Sequence, residues 1–176
     1  MKFTGWVAVV AFLAGGITGW LVRRPATPLR NPNHTAQSMA AGPSAEDLAG
    51  IEKLHEEDVA ATLSGQPSEL AKLWTDDAVR LEPGSPAEIG KKAITADDER
   101  ERKKYPHAQV VGYAPRIELL KVVDGWAFEW DNFYVSFHES PRSKLQNFQA
   151  KALRVLRRQP DGSWKFAAVM WNLAQP

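Results

Sequence analysis

The sequence predicts an α+β domain in which helices lead and an antiparallel sheet follows. Three helical stretches fall between residues 44 and 104, and four extended stretches fill residues 109 to 172. Asp124-Gly125 and Pro160-Asp161-Gly162 punctuate the extended part. Proline presets φ and glycine accepts positive φ, so consecutive strands turn back on one another there. No internal repeat interrupts the order.

Composition narrows the class. The 176 residues are 44% hydrophobic and 24% charged, the profile of one globular domain with additional segments. The formal net charge of +1 gives no reason to expect nucleic acid as a partner. Cysteine is absent, which excludes disulfides, thiolate catalysis, thiolate metal ligands and a lipidated cysteine anchor.

The chain opens on an apolar segment. Phe3 to Val22 carries no charged residue, and 20 helical positions span about 30 Å. A core helix of a water-facing domain needs a polar face, so residues 1–24 read as a membrane anchor or a signal segment. No small-x-small pattern closes the apolar run at the usual distance, and Ser38-Met39-Ala40 lies far downstream, which favours an uncleaved, single-pass anchor. Short N-terminal tails stay inside, which places the domain outside the cytoplasm, although Arg23 and Arg24 oppose that orientation. Gly15 and Gly19 form a small-xxx-small pair of the kind that lets two membrane helices approach. Residues 25–43 hold Pro25, Pro28, Pro32 and Pro43 among small polar residues and read as a semi-extended tether.

The domain then occupies residues 44–176. Ser44 with Asp47 three positions on is an N-cap signature directly after Pro43. Leu48, Ile51, Leu54, His55, Asp58 and Thr62 follow at helical spacing as far as Gly65. A short helix from Ser68 to Trp74 and a brief strand from Val79 to Leu81 come next, stopped by Pro83-Gly84. Lys91 to Lys104 is a highly charged third helix in which Asp98 precedes Arg102 and Glu99 precedes Lys103, the favourable order for pairs one turn apart. Gln109 to Val123, Trp126 to His138, Leu145 to Arg158 and Ser163 to Asn172 are the four long strands.

Three features break the simple pattern. His55 and Asp58 lie near the centre of the apolar stripe of the first helix. Either Asp58 ties the helix to a backbone amide or an indole N–H, or the stripe faces a wet pocket. The strand from Trp126 to His138 sets Ala127, Glu129, Asp131, Phe133 and Val135 on one face and Trp126, Phe128, Trp130, Tyr134 and His138 on the other. A strand apolar on both faces needs two covers, which implies a homodimer. Lys151, with Leu153 and Val155, is expected opposite or diagonal to Glu129 as an ion pair or as the polar floor of a pocket. Beyond His55 and Asp58 the histidines are scattered, and the chain carries neither a glycine-rich phosphate loop nor a nucleophile elbow, so no cofactor or metal is expected.

The stretch Leu73-Trp74-Thr75-Asp76-Asp77-Ala78-Val79-Arg80-Leu81-Glu82-Pro83, read with the hairpin from Arg154 to Asn172, resembles the nuclear transport factor 2-like superfamily in its SnoaL-like and ketosteroid-isomerase-like branch. The resemblance covers residues 44 to 172. It implies a cone-shaped, curved antiparallel sheet wrapped with three N-terminal helices around one pocket. In ketosteroid isomerases the proton-shuttling carboxylate directly precedes a proline, a few residues after an Asp-Asp-Ala run, and Glu82 before Pro83 matches that spacing. The same match puts Asp58 where those enzymes carry a tyrosine donor and sets their late-strand protonated acid near Arg154, so their oxyanion hole is missing. Trp74 and Trp171 flank the matched motifs near the expected pocket mouth.

The expected function is therefore a membrane-tethered domain that binds a small apolar or amphipathic molecule. A lyase or isomerase using Glu82 or Asp58 as base is the first alternative, and a non-catalytic dimerisation module the second. His55, Trp74, Glu129, Lys151 and Trp171 are the expected ligand contacts.

Overall fold

The computed structural model describes residues 42–174. The anchor and nearly all of the tether inferred above lie outside that range. Among the described residues, no helix is long and apolar enough to cross a membrane.

Local chemistry sets the helices. The side chain of Ser44 accepts a hydrogen bond from Asp47 N at 3.0 Å and starts α1 (Ala45–Ser64). Gly65, at φ 61°, ends it in the left-handed conformation that glycine adopts without strain. Pro67 opens the short α2 (Pro67–Lys72) at a position whose N–H needs no helical partner. Gly90 leads into α3 (Lys91–Lys104) and bonds its N–H to Ala78 O at 2.7 Å, which fastens that helix start to the sheet.

The strands are β1 (Trp74–Leu81), β2 (Glu88–Ile89), β3 (Gln109–Val123), β4 (Trp126–His138), β5 (Gln146–Arg158) and β6 (Trp164–Leu173). They form one curved, unclosed six-stranded sheet in the order β2-β1-β6-β5-β4-β3. Two details correct the sequence reading. The strand before Pro83 begins at Trp74, which shortens the second helix, and the two-residue β2 pairs with it. The sheet is also not wholly antiparallel, because β1 runs parallel to β6. The two-residue β2 and the helix α3 separate β1 from the meander, whose last strand, β6, comes to lie on the other side of β1 from β2.

Side-chain alternation then divides the sheet into two faces. On the inner face, Ile51 and Leu54 of α1, Leu70, Leu73 and Ile94 pack against Ala127, Leu156, Trp164 and Phe166. Phe133, Val135, Phe137, Ala150 and Ala152 form a second buried cluster further along the same face. On the outer face, Leu119, Trp130, Leu153 and Met170 sit side by side on β3, β4, β5 and β6, and Leu81 of β1 continues the row. All five are 39–48% exposed.

Candidate functional site

A cavity of about 200 Å³ lies between the two inner clusters. Leu70, Leu73, Trp74 and Phe166 line it from one cluster, and Phe133, Val135, Phe137 and Ala152 from the other, with Phe148 and Trp171 at its margin. Its walls are mostly apolar and aromatic, with polar groups concentrated at two places, the usual make-up of a small-molecule site.

The first polar group centres on Arg154. Residues 150, 152, 154 and 156 of β5 all face inward, so the register that buries Ala150, Ala152 and Leu156 also buries this arginine. Its Nε donates to Asp131 Oδ2 at 2.7 Å, Nη1 to Asp58 Oδ2 at 2.9 Å and Nη2 to the Tyr113 hydroxyl at 2.9 Å. Tyr113 donates in turn to Asp58 Oδ2 at 3.0 Å. Burial raises the Tyr113 pKa, outweighing the pull of Arg154 in the opposite direction. Burial likewise raises the carboxyl of Asp131, against the stabilising charge of Arg154. Every strong donor in this group has an acceptor. It closes one end of the cavity and locks α1 to the sheet.

Beyond it, His55 Nε2 stands 3.0 Å from both carboxylate oxygens of Glu129, whose side chain is fully buried. Glu129 Oε1 is 4.0 Å from Arg154 Nε.

The second group centres on Arg80, which β1 turns inward towards α3. Its Nη1 donates to Asp98 at 2.6 Å, its Nη2 to Asp97 at 3.1 Å and its Nε to Glu88. Glu82 Oε1 lies 3.2 Å from Arg80 Nε, yet that N–H is directed at Glu88, and the buried oxygen accepts no hydrogen bond. Burial raises the Glu82 pKa to about 7, since the desolvation cost of its charge exceeds what Arg80 returns, and Glu88, Asp97 and Asp98 add like-charge repulsion.

The residues expected from sequence thus separate. Glu82, Asp58, Trp74 and Trp171 all line the cavity. His55 and Glu129 pair with each other behind Arg154 and do not reach it. Lys151 is a correction: it pairs in register with Asn132 and Asn172 and is exposed on the outer face. The partner opposite Glu129 is Arg154, three residues beyond Lys151. A shift by an odd number of residues moves a side chain to the other face. Asp58 is also a correction of emphasis, since two strong donors already hold it. Arg154, Tyr113 and Arg80 are among the polar wall residues that sequence reasoning did not select. Arg154 had a legible signal in its even spacing with Ala150, Ala152 and Leu156.

This sheet order, with helices against one face and a cavity between, is the nuclear transport factor 2-like fold. Solved structures of that fold superpose on most of the chain. A ketosteroid isomerase-like protein from Erwinia carotovora atroseptica is 22% identical with a TM-score of 0.62, over 76% of this chain and all of that one. A nuclear transport factor 2-like superfamily protein from Salmonella enterica serovar Typhimurium is 11% identical with a TM-score of 0.60, over 73% of this chain and 91% of that one. A protein from Catenulispora acidiphila in complex with S-DNPA is 20% identical with a TM-score of 0.60, over 74% and 95%. No family model matches the sequence, and no curated protein does.

Proposed function

We propose that this domain binds a small, largely apolar molecule in the inner cavity, held at the membrane by the N-terminal segment. The observation that carries the reading is the cavity itself, where aromatic and aliphatic walls enclose about 200 Å³ between two charged ends. A fully packed core would leave no such space. The ligand-bound structure from Catenulispora acidiphila supports the reading by analogy of fold. Native mass spectrometry of the purified full-length chain tests it. A co-purified small molecule, or a melting temperature raised by a library compound, is the expected result. A bare chain that no apolar compound stabilises would overturn it.

One observation favours a second reading, a lyase or isomerase. Glu82 lies on the cavity wall with a carboxylate oxygen that accepts no hydrogen bond and a pKa raised to about 7, the value that suits a general acid–base at neutral pH. Turnover abolished by Glu82→Gln, with binding retained, would establish it.

The outer face supports a homodimer. The row Leu81, Met170, Leu153, Trp130 and Leu119 is uncharged and crosses five strands, so a second copy related by a twofold axis would meet it with the same residues. Sedimentation equilibrium giving twice the monomer mass is the expected outcome.

A further inference from the structure

Resting on the ligand-binding reading, the geometry points to a class of ligand: an amine whose body is apolar and whose ammonium group docks on Glu82.

The two polar ends of the cavity differ in what they leave unmet. At the Arg154 end, donors and acceptors are matched, with Asp131, Asp58 and Tyr113 taking the guanidinium N–H groups. At the Arg80 end the mismatch is of one kind only. Arg80 directs its N–H groups to Glu88, Asp97 and Asp98, which leaves Glu82 as the fourth carboxylate around one guanidinium. The Glu82 side chain is only 8% exposed, its Oε1 accepts no hydrogen bond, and it lines the cavity. Glu101, one turn beyond Asp97 on α3, also lines the cavity and has a buried Oε2 with no hydrogen bond.

Charge counting gives the same answer. Facing this end are five carboxylates, Glu82 directly after β1, Glu88 from β2, and Asp97, Asp98 and Glu101 from α3. The cations are Arg80, Arg100 on Asp97, Lys104 on Glu101, and Arg102, whose Nη1 donates to Ala108 O. One carboxylate exceeds the cations; Glu101 meets Lys104 as an ion pair at 3.6 Å, and Glu82 shares Arg80 with three carboxylates that take its N–H groups.

Buried acceptors without donors are completed by a ligand that donates. A hydroxyl supplies one donor and leaves the charge uncompensated. An ammonium supplies three donors and cancels it. A carboxylate ligand would add a further negative charge to a site already in excess and is rejected. The selection is sharpened by proton linkage. Near neutral pH Glu82 is partly protonated, and a bound cation favours its ionised form, so amine binding releases a proton.

Three probes of one shape test this by isothermal titration calorimetry on the purified full-length chain: 2-phenylethylamine, 2-phenylethanol and 3-phenylpropanoate. The amine is expected to bind at least about tenfold more tightly than either other probe. Glu82→Gln should erase that preference while phenylethanol still binds. Repeating the wild-type amine titration in buffers of different ionisation enthalpy should show net proton release near neutral pH, an outcome that does not depend on the variant folding. If the alcohol or the carboxylate binds as tightly as the amine, or if no proton is released, the amine assignment falls while the cavity remains a binding site. If none of the three binds at millimolar concentration, the ligand-binding reading falls with it.

Discussion

Arg154 Nη1 lies 2.9 Å from Asp58 Oδ2, a buried ion pair that spans 96 residues and joins the centre of β5 to α1. It explains how an aspartate can occupy the apolar stripe of a helix. The carboxylate is not solvated; it is held by a guanidinium and by the Tyr113 hydroxyl. The arginine in turn is fixed by Asp131, so the helix and three strands share one network.

Removing that arginine should therefore cost more than its own contacts. Arg154→Met leaves Asp58 and Asp131 buried without their cation, and a loss of about 3–5 kcal/mol is expected. Chemical denaturation of the variant against wild type checks it. A loss below about 1 kcal/mol would show that the network is solvated.

Glu82 predicts a pH dependence with a definite sign. Its folded pKa is raised from 4.5 to about 7, so the folded state holds a proton that the unfolded state releases across that window. The stability it contributes is full below pH 4.5 and declines as pH rises towards 7. Glu82→Gln cannot ionise, so its stability relative to wild type should grow through this range to about 3 kcal/mol. Urea melts at stepped pH would show a plateau above neutrality, and a flat difference would mean an unperturbed carboxyl.

The cavity can be closed without touching its polar ends. Ala152 is 5% exposed, lies on the cavity wall and has no bulk to lose. Ala152→Leu should fill empty space, changing stability by less than about 1.5 kcal/mol while weakening any ligand at least tenfold. Fluorescence titration beside a thermal melt separates the two effects.

Gly50 is a packing requirement and not a flexible joint. A Cβ placed there would come within 2.7 Å of the indole Cδ1 of Trp164, which is itself only 3% exposed. Gly50→Ala should destabilise the domain by about 1–3 kcal/mol despite the better helix propensity of alanine. A higher melting temperature for the variant would contradict this.

On the outer face, Trp130 is the centre of the apolar row, flanked by Leu119 and Leu153. Trp130→Glu should turn the proposed dimer into a monomer at micromolar concentration with the fold intact, since 40% of its surface already meets water in the single chain. Analytical ultracentrifugation with circular dichroism reads both.

What the sequence by itself determined is most of what local chemistry controls, the end of the second helix and the start of β1 excepted. The cap at Ser44, the stop at Gly65, the charged third helix and the turns at Asp124-Gly125 and Asp161-Gly162 each depend on a few neighbouring residues, and each is where the pattern put it. Alternation in β4 likewise gave both faces correctly, because the period of two is a property of one strand. The superfamily resemblance gave the fold and singled out Glu82, which lies on the cavity wall. What only the tertiary structure decided is which strand residues stand opposite each other. The expected pairing of Glu129 with Lys151 required a register between β4 and β5 that the alternation of neither strand fixes alone, and the observed register delivers Arg154 instead. The parallel contact of β1 with β6, and the meeting of Arg80 with Asp97 and Asp98 across 17 and 18 residues, are likewise long-range. Hydrophobic burial over the whole sheet selects those contacts, and the charges that share a cavity follow from that selection.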